Sequence, residues 1–231
     1  FEFPIISLGE QPVDVEGLGA HWLDVDTILW NAPEGVETVE LHYSETAGLE
    51  STLEDGLNGT VLTLTETTLT DEQIALAPHL QSMQAWQGDW DEAAAKAVLK
   101  TQTAIGGYND EGKLVAATGI QLANVLDVLY TSGDDDANEA SLGPVYTDTG
   151  ISAVVWAPTA QQVNLLSYSD SKSLQNTYPM TLDENTGIWR YDGDMSLDRT
   201  LYRFEVTVYH PVTGELENLE VTDPYSVSLS T

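Results

Sequence analysis

The side chains that could do chemistry are mostly carboxylates. Asp and Glu number 38 against 7 Lys plus Arg, with four His and no Cys. Without Cys there is no thiol nucleophile, no disulfide scaffold and no zinc–thiolate site. His21, His42, His79 and His210 are scattered, and no His-Glu-x-x-His run brings two imidazoles together. A serine hydrolase would show a Gly-x-Ser-x-Gly elbow, and a nucleotide binder a Gly-x-Gly-x-x-Gly or phosphate-loop run; neither occurs. Asp134-Asp135-Asp136 could contact calcium, but it lacks the ligand spacing of an EF-hand and reads as solvated linker. Six tryptophans remain: Trp22, Trp30, Trp86, Trp90, Trp156 and Trp189. Trp86 and Trp90 lie in the Gln- and Gly-rich stretch 84–91, which reads as a loop able to expose one of them. Trp156 and Trp189 fall in strand-like runs, where an indole usually packs a core.

The elements that must position these residues are strands. In the first half, period-two runs appear around Leu23, Val25 and Ile28, and again at Val36, Val39, Leu41 and Tyr43. Val61, Leu62 and Leu64 follow. Ile105–Tyr108 and Leu114–Ala117 flank Asn109–Gly112, a hairpin turn. Gln121–Tyr130 is read as a further strand. Residues 91–100 place acids first and lysines last, which predicts a short helix matched to its dipole at both ends. In the second half, strands are expected at Ile151–Trp156, Gln162–Tyr168, Gly187–Tyr191, Leu201–Tyr209 and Leu216–Val221, with turns at Asp183–Gly187 and His210–Gly214. Short strands at this spacing with Gly, Pro and Asp turns argue β-sandwiches, and no solenoid repeat recurs. The expected fold is all-β: two tandem immunoglobulin-like β-sandwich domains, the first with a short helix.

Thr131–Ser141 is polar, acidic and free of aromatics, as a linker or exposed loop is. The expected division is an N-terminal extension at 1–19, a first sandwich at 20–132, an acidic linker at 133–143 and a second sandwich at 144–231. Phe1–Leu8 is apolar but too short for a signal peptide or a membrane span. Both ends read as cuts through a longer polypeptide. The net charge of -31 excludes nucleic-acid binding through a basic patch and electrostatic docking on anionic lipid. With 42% hydrophobic residues the chain has globular composition, so the acidity reads as a solvated face suited to saline surroundings.

Gly150-Ile151-Ser152-Ala153-Val154-Val155-Trp156-Ala157-Pro158-Thr159-Ala160-Gln161-Gln162-Val163 resembles the opening of carbohydrate-binding module family 48. That module precedes the catalytic barrel in debranching and branching enzymes of glycoside hydrolase family 13. Gly187-Ile188-Trp189, Leu201-Tyr202-Arg203-Phe204 and Val221-Thr222-Asp223-Pro224-Tyr225-Ser226 resemble its later segments, in order. His210-Pro211 narrows the likeness to bacterial multidomain pullulanases. The first half is similar to the β-rich domain before that module, through Ala20–Leu23, Thr27–Trp30, Val39–Ser44, Ala77–Leu80, Gln121–Ala123 and Val125–Asp127. One departure stands out: Asp198-Arg199-Thr200 occupies a turn where the family often has Gly.

The resemblance implies noncatalytic accessory domains of an enzyme that cleaves α-1,6-glucosidic bonds in pullulan, starch and limit dextrins. Such enzymes place two carboxylates on a (β/α)₈ barrel, which needs around 250 residues by itself. This chain, with 231 residues, has no room for one and no Gly-x-Arg-x-Asp strand. No catalytic residue, metal site or cofactor is therefore expected here, and calcium is left to the parent enzyme. The expected partners are the parent's own barrel and, weakly or indirectly, α-glucan. The expected location is extracellular, cell-surface or periplasmic. Glucans are held by aromatic rings on the apolar sugar face and by polar groups on the hydroxyls. Trp86, Trp90 and Trp189 are the candidate stacking residues, and Lys172, in Ser169–Ser173, the candidate donor. The alternative reading is an autonomous α-glucan-binding module with exposed aromatic residues.

Overall fold

The computed structural model describes residues 17–52, 56–134, 136–170 and 172–226. Most of the expected N-terminal extension and the C-terminal run beyond Ser226 lie outside the described residues. The chain divides into two compact units. The first holds the described residues to Asp91 together with Gln102–Asn124; the second holds Glu92–Thr101 and the chain from Val125 onward.

The first unit contains β1 (Ala20–Trp22), β2 (Thr27–Leu29), β3 (Thr38–Ser44), β4 (Ser51–Thr52), β5 (Gly56–Leu57), β6 (Thr60–Thr67), β7 (Ala85–Gln87), β8 (Gln102–Tyr108), β9 (Leu114–Thr118) and β10 (Ile120–Gln121). Eight of these form one ladder in the order β10-β1-β2-β7-β6-β3-β8-β9, and β4 pairs with β5. β6 belongs to two half-sheets: Thr60–Leu64 pair with β3, and Thr65–Thr67 pair with β7. A strand that changes partners midway is how one sheet turns a corner and packs on itself. The apolar alternation read from the sequence drives this closure, with Trp22, Ile28, Val39, Leu41 and Ile105 fully buried. β8 is covered on both faces, and Gly107 is the reason it can be. A Cβ there would lie 2.8 Å from both Trp30 and Val36.

A helix, α1 (Asp71–Leu76), was not among the sequence expectations. Its start is a capping box: Thr70 Oγ1 accepts from the Gln73 N–H at 3.2 Å, and Gln73 Oε1 accepts from the Thr70 N–H at 3.0 Å. Gln73 Nε2 also donates to Asp24 at 2.9 Å and to Thr27 at 3.0 Å, which ties α1 to the β1–β2 turn.

In the second unit, α2 (Glu92–Val98) lies where the charge order places a helix. The strand expected over 121–130 is corrected. Only Ile120–Gln121 extends; Ala123–Tyr130 is a helix, α3. Val125, Leu129 and Tyr130 are its buried residues, at offsets of four and five, a helical stripe and not an alternation. Lys96 of α2 is buried, pairs with Glu92 at 2.6 Å and lies over the Tyr130 ring at 4.9 Å.

Eight strands complete this unit: β11 (Gly143–Tyr146), β12 (Gly150–Trp156), β13 (Gln162–Tyr168), β14 (Leu174–Pro179), β15 (Thr181–Asp183), β16 (Ile188–Asp194), β17 (Leu201–His210) and β18 (Glu215–Val221). They form two four-stranded sheets, β11-β12-β16-β15 and β14-β13-β17-β18. The inward alternation of Val163 and Leu165 against Val206 and Phe204 builds the core with Ala153, Met180 and Trp189. Lys100 pairs with Glu184 at 3.0 Å, and Gln161 Nε2 donates to the Lys100 carbonyl at 3.1 Å. These contacts join the α2 exit to the sandwich.

Candidate functional site

Of the four candidate sugar contacts, Trp86 and Trp90 lie in the first unit and Trp189 and Lys172 in the second. Trp86 lies in β7 at 7% exposure, and its indole N–H donates to the Trp30 carbonyl at 2.9 Å. Trp90 is half-buried, edge-on to Trp22 at 5.9 Å, with its N–H on the Val25 carbonyl at 2.8 Å. Its ring rests over Gly88, where a Cβ would lie 1.7 Å away. Trp189 is 7% exposed in the second core, and its N–H donates to the Ala157 carbonyl at 3.0 Å. Each of these indoles thus satisfies its single donor on a backbone carbonyl. Lys172 is exposed on the β13–β14 turn, where Asp170 Oδ1 accepts its backbone N–H at 2.9 Å. The backbone N–H of Lys172 and the Ser173 hydroxyl hold the Asp170 carboxyl below its ordinary range. That turn follows the end of β13. Trp189 instead pairs with Val155, four residues along β12 from Ile151 at the turn's end of the sandwich, roughly 13 Å at strand rise.

A cavity of about 390 Å³ opens at that end, between the two sheets of the second unit. It is lined by Tyr146 at the end of β11, Ile151 at the start of β12, Ser167 at the end of β13, and Leu197, Arg199 and Tyr202 around the start of β17. Tyr146 is 57% exposed, and its hydroxyl donates to Asp198 at 3.3 Å. The Tyr202 hydroxyl donates to the buried Asp223, which also accepts the Tyr225 N–H at 2.8 Å. Burial, then the Asp223 contact, pushes the Tyr202 hydroxyl far above its ordinary range. This pair pins the segment after β18 beside the cavity. Leu197 comes from a 3-10 turn, Met195–Leu197, capped by Asp194 accepting the Ser196 N–H at 2.7 Å.

Arg199 sits in the turn whose sequence departs from the resembled family. Its φ is +57°, in the left-handed region. The turn therefore keeps a shape that suits Gly while carrying a guanidinium. The sequence signal was the departure Asp198-Arg199-Thr200; what it left hidden was that the backbone does not adapt to the larger residue.

On the outer face of the β13–β17–β18 sheet, Arg203 pairs with Glu220 and lies over the Tyr168 ring at 5.7 Å. Hydrogen bonds from Arg203 and Tyr168 hold the Glu220 carboxyl below its ordinary range. In the first unit, His42, Tyr108 and Glu40 come together, a cluster the spacing of the histidines did not reveal. His42 Nδ1 lies 3.0 Å from the Asn58 carbonyl, which assigns the proton to that nitrogen. The Tyr108 hydroxyl accepts the Leu57 N–H at 3.2 Å and donates to His42 Nε2 at 2.9 Å. Both ring nitrogens of His42 and the Tyr108 hydroxyl have partners, so the cluster reads as a structural network. Among the described residues no group of three or more His, Asp or Glu is placed to hold a metal ion, and no helix is long and apolar enough to cross a membrane.

Two family descriptions match the chain. Residues 18–128 match the Pullulanase N2 domain, and residues 141–226 match Carbohydrate-binding module 48 (Isoamylase N-terminal domain). The chain is 37% identical over 212 residues to a pullulanase of Klebsiella pneumoniae, covering 92% of this chain and 19% of that protein. It is 32% identical over 215 residues to chloroplastic pullulanase 1 of Arabidopsis thaliana, covering 91% and 22%. Among solved structures, the maltotriose complex of a PulA mutant from Klebsiella pneumoniae aligns with a TM-score of 0.85 at 35% identity, over 94% of this chain and 23% of that one. PulA from Klebsiella oxytoca aligns at 0.84 and 36%, over 92% and 20%. The chain thus spans about a fifth of the length of the curated relatives it matches.

Proposed function

Because the chain belongs to the pullulanases, as an N-terminal region made of a Pullulanase N2 domain and a carbohydrate-binding module 48 domain, we propose that it is the noncatalytic accessory part of an enzyme that hydrolyses α-1,6-glucosidic bonds in pullulan, starch and limit dextrins. The observation that carries this is occupancy. The two matches take up 18–128 and 141–226, both all-β in character, and leave no stretch for a barrel of around 250 residues. Its role is to support and orient the parent's barrel. Any calcium acts in the rest of the enzyme, and the enzyme is extracellular, on the cell surface or in the periplasm. Along the sequence the two domains run over 20–132 and 144–231, joined by the acidic linker 133–143, although Glu92–Thr101 and the chain from Val125 pack with the second compact unit.

The test uses the full-length enzyme with and without this region. Removing it lowers the thermal midpoint of the enzyme and its kcat/KM on pullulan. An enzyme unchanged in both has no need of the region as a support. Reducing-sugar release from pullulan by the 231-residue chain alone would overturn the noncatalytic reading.

A second reading, direct contact with α-glucan, is favoured by one observation: an exposed aromatic ring, Tyr146, at the mouth of a cavity in the module half. Of the four residues first considered for sugar contact, Trp90 and Lys172 keep surface for it, whereas Trp86 and Trp189 pack their cores.

A further inference from the structure

We propose that the cavity at the β11–β17 end of the second unit is an α-glucan subsite, seating one or two glucosyl rings against Tyr146 with Arg199 as the hydroxyl donor. This rests on the second reading above and gives it a place.

Size and lining argue first. About 390 Å³ falls within the range of small-ligand sites, and such sites join an apolar floor to a few placed polar groups. Here Ile151, Leu165 and Leu197 supply apolar lining, Ser167 and Tyr202 bring hydroxyl side chains, Tyr146 offers an exposed ring, and the solvent-exposed side chain of Arg199 borders the opening. A pyranose ring has the matching form, with apolar C–H faces and a girdle of hydroxyls. The ligand is neutral because its surroundings are acidic. With a net charge of -31, an anionic ligand would meet long-range repulsion that a sugar does not.

Arg199 argues second. The other two arginines are engaged: Arg190 pairs with Asp192 at 3.1 Å, and Arg203 with Glu220. Among the described residues Arg199 pairs only with its neighbour Asp198, at 3.8 Å, and its side chain is 92% exposed. It also holds a left-handed backbone, which is strained for any residue with a Cβ other than Asn or Asp. Gly would relieve that strain, so the fold does not explain Arg. Strain kept at a cavity rim points to use of the side chain.

The experiment titrates maltotriose into the full chain, by calorimetry and by backbone-amide NMR shifts. The expected result is millimolar-range binding, with shifts concentrated at Tyr146, Ile151, Leu197 and Thr200. Arg199→Gly and Arg199→Asn should each raise Kd about tenfold, the loss of one charge-assisted hydrogen bond, and Arg199→Gly should raise Tm by a few degrees. Tyr146→Ala should weaken binding without lowering Tm. Binding that persists with unchanged Kd in all three variants, or shifts centred on Lys172 or Trp90, overturns the cavity site and leaves glucan contact standing elsewhere. Higher stability of Arg199→Gly with wild-type Kd overturns the role of Arg199. Absence of heat and of shifts at 20 mM maltotriose sinks the glucan reading itself.

Discussion

Trp189 shows what a single side chain does in this protein. Its ring fills the second core, and its N–H caps the Ala157 carbonyl where β12 gives way to Ala157-Pro158. Trp189→Phe keeps most of the apolar surface and removes the donor. It should destabilise the second unit by about 0.5–1.5 kcal/mol, the usual net worth of one hydrogen bond, because the Ala157 carbonyl keeps the Ala160 N–H at 3.1 Å, and leave maltotriose affinity unchanged. Urea unfolding and calorimetry check the two halves of that statement. Trp86 has the same logic through the Trp30 carbonyl. This is why the tryptophans could not be sorted from sequence. Residue type announces an apolar body with one donor, but whether the donor meets a carbonyl or a ligand depends on strands far away in the chain. Trp86 and Trp30 are 56 residues apart, and Trp189 and Ala157 are 32 apart. Arg199 was partly legible, since its position in a turn that resembles one with Gly could be seen; its left-handed backbone could not.

At the scale of elements, Lys96 on α2 gives the sharpest test. Its partner Glu92 is 59% exposed, so solvent screens the pair and the charge itself contributes little. The buried stem contributes packing instead, and the ammonium over the Tyr130 ring adds a cation–π contact of about 0.5–1 kcal/mol. Lys96→Met should therefore stay within about 1 kcal/mol of wild type, whereas Lys96→Ala should lose roughly 1–2 kcal/mol with the removed methylenes. Equal losses in urea unfolding would assign the stabilisation to charge. Elements with a strong period were readable in the sequence: β13 spans Gln162–Tyr168 as expected, and β12, β16, β17 and β18 begin or end within a few residues of their expected limits. The ones missed had no period to read. β14 is exposed along nearly its whole length and holds its place by backbone pairing with β13. α3 was misread because the burial of Val125, Leu129 and Tyr130 belongs to a helical stripe short enough to pass for alternation. The cavity was illegible for the same reason as the tryptophan contacts: its lining runs from Pro144 to Ser226 and exists only when two sheets meet.

Over the whole molecule the net charge of -31 is unevenly spread: residues 1–140 hold 26 acids and 3 lysines, or -23, and residues 141–231 hold 12 acids and 4 basic residues, or -8. Self-repulsion at this density opposes the compact state, and salt relieves it. Between 10 mM and 1 M NaCl the screening length falls from about 30 Å to about 3 Å, so Tm should climb with salt, and the first unit should gain more. Proton linkage predicts a different order at high pH. Burial raises the hydroxyl pKa of Tyr130, Tyr168, Tyr191 and Tyr202 in the second unit, and of Tyr108 in the first. An unfolded tyrosine titrates near 10.0, so above that pH the unfolded chain binds fewer protons than the folded one and stability falls as pH rises. The second unit should therefore open first on the alkaline side. On the acid side, Asp170, Asp194 and Glu220 have lowered pKa values, so the stability they add is present above their unfolded values of 3.8 and 4.5 and is lost as pH falls below them. All three lie in the second unit and are solvent-exposed, so the acid limb should be shallow beside the alkaline one. Hydrogen exchange resolved by unit at pH 10–11 and at pH 3–4, repeated at both salt concentrations, reads each of these orders separately; earlier opening of the first unit at pH 10–11 would mean that repulsion, and not the buried tyrosines, governs the alkaline limb.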